Sequence, residues 1–82
     1  MLQIRVRFFG YAAELAGCRE SVVSTNDPTV AGVVSAARRE FPTLGPLLDD
    51  AIRFAVGTEY ATLSASVGEG DIVSFLPPVG GG

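Results

Sequence analysis

The chain of 82 residues contains no histidine, no lysine and a single cysteine, Cys18. Without imidazole the most common general base is missing, and one thiol with no histidine excludes a Cys/His metal site. A lone cysteine also excludes an internal disulfide. All six basic residues are arginines, so no side chain can accept an isopeptide bond. Charged residues make up only 18% of the chain and the net charge is −3. An acidic chain with no basic cluster argues against nucleic acid as a partner. There is no apolar run of about 18 residues that would span a bilayer and no signal-peptide pattern, so the expectation is a soluble, cytoplasmic protein without a membrane partner.

Hydrophobic residues account for 48% of the sequence, enough for one compact core in a single domain. A domain of this size buries about 60–65% of the surface its unfolded chain exposes. With so few charges, part of the surface must be apolar, which points to a face that binds a partner.

The most unusual stretch is the last, GDIVSFLPPVGGG from Gly70 to Gly82. A strand pattern over Ile72 to Leu76 runs into Pro77-Pro78, then Val79, then Gly80, Gly81 and Gly82. The prolines fix φ and donate no N–H, so the chain leaves a sheet there in extended form. The glycines have no Cβ, so a narrow channel admits them and another backbone can approach closely. The expectation is a slim tail whose last group, the α-carboxylate of Gly82, enters the active site of another protein. The competing reading is an unused, frayed end.

The rest of the chain reads as a platform. In LQIRVRFF, Leu2, Ile4, Val6 and Phe8 alternate with Gln3, Arg5, Arg7 and Phe9, the period of a half-buried strand with the first set facing the core. Phe9 then faces outward. Tyr11 to Ala16 forms a helical turn stopped at Gly17. Cys18 is read as a small packing residue. Arg19 to Thr25 is the second strand, with the facing of Val22 and Val23 open. Thr29 is the N-cap of a helix over Val30 to Glu40 that turns Val30, Val33, Val34 and Ala37 to the core and cannot continue through Pro42. Arg38-Arg39-Glu40 is read as a solvated face. Thr43 to Asp50 is a loop with a turn of helix at Pro46 to Leu48, and Asp49-Asp50 is read as solvated rather than as a metal pair. Ala51 to Val56 is the third strand, Gly57-Thr58-Glu59 a turn, Tyr60 to Leu63 a short edge strand and Ser64 to Glu69 a polar loop. In the last strand Val73 and Phe75 face inward, and Leu76 joins Phe9 on the outer face. The order ββαβ(β)β predicts a mixed sheet on one helix, a two-layer α+β roll in which the first and last strands pair in parallel.

Three stretches, RVRFFGYAAELAG (Arg5 to Gly17), DPTV (Asp27 to Val30) and GDIVSFLPPVGGG (Gly70 to Gly82), resemble the small subunits of molybdopterin synthase, a family of ubiquitin-like β-grasp sulfur carriers. The Phe-Leu-Pro-Pro-Val-x-Gly-Gly ending is the more specific part, since a terminal Gly-Gly is shared by many ubiquitin-like proteins. The chain departs at Gly57, where the family often has Asn, a difference that concerns a turn. The resemblance implies a β-grasp domain over residues 1–76, with four to five strands on one main helix, and a flexible sulfur-carrying tail over residues 77–82.

The resemblance also implies a mechanism. An ATP-dependent activating enzyme adenylates the Gly82 carboxylate, and a sulfur donor system converts the acyl-adenylate to a thiocarboxylate, a 1-thioglycine end. The tail then enters the large subunit of the synthase, in an expected heterotetramer, and gives its sulfur to cyclic pyranopterin monophosphate to form the dithiolene of molybdopterin. The chain itself binds no cofactor. By the family pattern Phe9, Tyr60 and Leu76 dock against both partners, with Pro77, Pro78 and Val79 leading into them. The alternatives are a sulfur carrier for thiamine or cysteine biosynthesis, a ubiquitin-like modifier conjugated through Gly82, and a plain binding domain with an inert tail.

Overall fold

Strand β1 (Leu2–Phe8) buries every second side chain: Ile4, Val6 and Phe8 are inside, while Gln3, Arg5 and Arg7 are exposed. A computed structural model describes residues 1–49 and 52–78 of the chain. After β1 the order is α1 (Tyr11–Ala16), β2 (Glu20–Thr25), α2 (Val30–Glu40), a 3-10 turn (Pro42–Leu44), α3 (Gly45–Leu48), β3 (Arg53–Val56), β4 (Glu59–Ala61) and β5 (Ile72–Leu76). The sheet order is β2-β1-β5-β3-β4. β1 and β5 run parallel, and the other three pairings are antiparallel. This is the mixed five-stranded sheet on one main helix of the ubiquitin-like β-grasp, with the last strand at its centre.

The core lies between the sheet and α2. Helix α2 turns Val30, Val33, Val34, Ala36 and Ala37 inward. Its start follows from the sequence: the Thr29 hydroxyl oxygen accepts the Gly32 N–H at 3.2 Å. The Val30 and Ala31 N–H groups donate to the carbonyls of Ala65 and Leu63, both at 2.9 Å. The first donors of the helix, which have no partner within it, are therefore all satisfied. Gly32 is required for a different reason. A Cβ at this position would lie 2.2 Å from the Asp27 carbonyl oxygen, so the turn before the helix can close on α2 only over a glycine.

Four phenylalanines tie the sheet to the end of α2. Phe8, Phe75 and Phe54 are direct neighbours across β1, β5 and β3. Their rings meet edge to face at 5.2 Å, and Phe41, just past α2, stands against Phe8 at the same distance. Such contacts contribute roughly 0.5–1.5 kcal/mol each beyond the area they bury. Phe75 is fully buried in this row, so the strand that carries the tail is clamped one residue before it leaves the sheet.

Several expectations shift. The second strand begins at Glu20, not Arg19, and Val23 is the inward valine, paired with Ile4, while Val22 is 49% exposed. The third strand begins at Arg53; Ala51 lies outside the described residues. The edge strand is Glu59–Ala61 rather than Tyr60 to Leu63, because Leu63 leaves the sheet to present its carbonyl to α2. Ser64 to Glu69 is not wholly a solvated loop: Val67 is buried, and its N–H donates to the Pro28 carbonyl at 2.9 Å. Helical structure after Pro42 is longer than one turn, and Leu44 and Leu47 are buried from it. Arg38 is held by Asp49 at 3.0 Å rather than simply solvated; Asp50 lies outside the described residues.

Candidate partner-docking face and tail root

The face of the sheet turned away from α2 is built by strand register. Arg7, Ser74, Ala55 and Tyr60 lie side by side across β1, β5, β3 and β4. Ser74 and Ala55 are small and only 8% exposed, so the middle of this face is a shallow floor. Tyr60, 74% exposed, rises at one side of it, and Phe9, 45% exposed, at the other. Leu76 is half-buried at the end toward the tail. Together with Gly57 and Thr58 these residues enclose a groove of about 260 Å3. An apolar depression with two protruding aromatic rings is a surface that another protein's side chains can fill.

The position of each ring has a local cause. Phe9 lies one residue past β1, yet its N–H donates to the Phe75 carbonyl at 3.2 Å, which keeps it beside β5. Tyr60 sits on the edge strand opposite Ala55, and the Arg53 guanidinium stands 5.9 Å from its ring centroid. An exposed contact of this kind contributes about 0.5–1 kcal/mol. Farther along the face, Glu20 forms ion pairs with both Arg5 and Arg7 at 3.7 and 3.6 Å, which partly neutralises the cations on β1.

The tail root lies at the same end of the sheet. β5 pairs with β3 as far as Leu76, opposite Arg53. Pro77 has no N–H and ends the ladder. It is half-buried and approaches Gly10, where an added Cβ would sit 3.6 Å from the Pro77 Cγ. Pro78 is exposed. On the side away from the Phe9 face, the two prolines form one wall of a second groove, of about 310 Å3, against α1 and α3. Val79, Gly80, Gly81 and Gly82 lie outside the described residues.

The structure thus places Phe9, Tyr60, Leu76, Pro77 and Pro78 around one end of the sheet. Sequence reasoning did not pick out Ser74 and Ala55, which form the floor between the rings, or Arg53, which stands beside the Tyr60 ring. The available signal was the small size of Ser74 and Ala55 in otherwise apolar strands. Cys18 is a free, half-buried thiol packed against the core cluster, in keeping with a packing role. Among the described residues no three His, Cys, Asp or Glu side chains gather as a metal-ligand group, and no helix is long and apolar enough to cross a membrane.

The description of the ThiS family matches residues 6–82. The molybdopterin synthase sulfur carrier subunit of Mycobacterium tuberculosis is 32% identical over 84 residues, covering 100% of each chain. Among solved structures, SAMP1 from Haloferax volcanii superposes with a TM-score of 0.87 at 30% identity, covering 98% of this chain and 99% of that one. One chain of a complex between subunits 1 and 2 of the molybdopterin-converting factor of Helicobacter pylori superposes with a TM-score of 0.70 at 26% identity, covering 99% and 100%.

Proposed function

This chain belongs to the ThiS family of ubiquitin-like sulfur carriers, and we propose that it is the sulfur-carrying small subunit of molybdopterin synthase, acting in the cytoplasm. The observation that carries this reading is the course of β5. It is the central strand, clamped by Phe75, and it passes directly from an apolar docking face into Pro77-Pro78. The two prolines fix φ at the exit from the middle of the sheet and offer no N–H to extend the ladder.

In this reading the reacting group is the Gly82 carboxylate. A carboxylate is a poor electrophile. Its oxygen attacks the α-phosphorus of ATP on an activating enzyme and displaces pyrophosphate, which leaves an acyl-adenylate with a good leaving group. A sulfur nucleophile from the donor system then expels AMP and leaves a thiocarboxylate. The thiocarboxylate is ionised near neutral pH, and its sulfur attacks as a cysteine thiolate does. On the large subunit it is delivered to cyclic pyranopterin monophosphate for the dithiolene of molybdopterin. The chain supplies no acid or base to either step. It holds the sulfur in place, and this positioning converts an encounter between molecules into a step within one complex. The docking face of Phe9, Tyr60 and Leu76 engages first one partner and then the other. The 32% identity to a molybdopterin synthase sulfur carrier over the full chain supports this assignment.

A second reading is favoured by the similarity to SAMP1, a small archaeal modifier protein. Here the activated Gly82 carbonyl is joined to amines of other proteins. A carrier for thiamine or cysteine biosynthesis would share the first two steps. One experiment separates these outcomes: the intact mass of the chain after incubation with ATP, a sulfur source and its activating enzyme, followed by addition of the large subunit and cyclic pyranopterin monophosphate. The expected result is exchange of one terminal oxygen for sulfur and loss of that sulfur on addition of the acceptor. Sulfur that is gained but not released to this acceptor points to another pathway, and isopeptide adducts to the modifier reading.

A further inference from the structure

The groove on the far side of the tail root has no part in the docking face described above. It is lined by Tyr11 and Leu15 of α1, by Thr43, by Pro46 and Leu47 of α3, and by Pro77 and Pro78 at the tail root. Its lining carries no charged side chain. The Leu15 carbonyl, which would otherwise make the groove polar, accepts a hydrogen bond from the Thr43 hydroxyl. Tyr11 is 58% exposed, and Pro46 is exposed as well.

The length of the tail decides what comes to rest there. Pro77 is still packed against the domain at Gly10. From Pro78, four residues remain to Gly82, which in extended form reach about 13 Å. An enzyme that acts on the Gly82 carbonyl in a closed channel has no slack to stand off from the domain, so the rim of its channel must press on whatever surrounds Pro77 and Pro78. A rim encloses the tail on all sides. The Phe9, Tyr60 and Leu76 face meets one arc of it, and the Tyr11–Pro46 groove lies on the opposite arc. We propose that this groove seats an apolar side chain from the channel rim of the ATP-dependent enzyme that adenylates Gly82. The inference rests on the sulfur-carrier reading, but only on its first step, which all the alternatives with an activated tail share.

The test is ATP–pyrophosphate exchange by the activating enzyme as a function of the concentration of full-length carrier. Tyr11→Asp and Pro46→Asp each place a carboxylate in the groove from an exposed position. Asp near the first turn of α3 is compatible with that helix. Each variant is expected to raise the KM for the carrier roughly tenfold, as for loss of a buried apolar anchor, with kcat and melting temperature retained and with Tyr11→Leu restoring the KM. Val22→Asp, exposed on β2 away from the tail, serves as the control and leaves the KM in place. An unchanged KM in Tyr11→Asp and Pro46→Asp, beside a raised KM in Leu76→Arg, overturns the groove assignment and leaves the docking face standing. A lowered KM also overturns the assignment. No exchange with the unaltered chain overturns both this inference and the sulfur-carrier reading.

Discussion

Gly10 and Pro77 meet where the tail leaves the sheet. Gly10 holds φ 52° and ψ −127°, and a Cβ added to it would stand in ordinary contact, 3.6 Å, with the Pro77 ring. The two residues are far apart in sequence and are brought together by the parallel pairing of β1 and β5. The turn after β1 therefore lies beside the first residue of the tail.

Gly10→Ala should lower stability by about 1–3 kcal/mol, because side chains avoid this backbone conformation. The added methyl itself has room, so the cost is in the dihedral angles rather than in a clash. In a domain of this size each kcal/mol corresponds to a fall of roughly 4–8 °C in melting temperature. Thermal unfolding followed by circular dichroism measures it, and an unchanged transition would show that the turn relaxes freely.

Leu76→Arg should weaken binding to the large subunit by about tenfold or more, since it sets a charge in an apolar contact. The new cation would face Arg53 directly across the β3–β5 pair, which also costs some stability. Tyr60→Asp gives an independent reading, because Tyr60 is 74% exposed and its loss leaves the core alone. Isothermal titration of both variants decides the matter. Wild-type affinity in both would remove this face from the interface.

Deletion of Gly82 should abolish sulfur loading while leaving the unfolding free energy within about 0.5 kcal/mol of the parent, as for a surface change. Among the described residues the last strand ends at Leu76 and the core cluster reaches no further, and a glycine carries no side chain to add to either. Mass spectrometry and chemical denaturation of the same sample report the two quantities together. A large loss of stability would mean that the last residues are part of the folded body.

Much of this architecture is written in local sequence signals. Alternation in Leu2 to Phe8, the Thr29 cap, the stop at Pro42 and the Gly17 left-handed turn, with φ 78°, each act within a few residues. A β-branched pair such as Val22-Val23 carries no such signal, since either residue suits either face. Its choice was made by the register with β1, which sets Val23 beside Ile4 in the core. Leu63 likewise has the composition of a strand. It left the sheet because the N-terminus of α2 needed a carbonyl for the Ala31 N–H, a demand that arises only once the helix has been laid across the sheet.

The same division holds for the site. The prolines, the glycine run and the outward places of Phe9 and Leu76 are properties of the chain itself, because they follow from missing donors, missing Cβ atoms and a two-residue period. That Tyr60 stands across a floor of Ser74 and Ala55 from Phe9, that Gly10 lies beside Pro77, and that α1 and α3 close a groove behind the tail were settled by tertiary structure. These contacts join residues from opposite ends of the chain, and their geometry is set by strand order and register, which no short window of sequence contains.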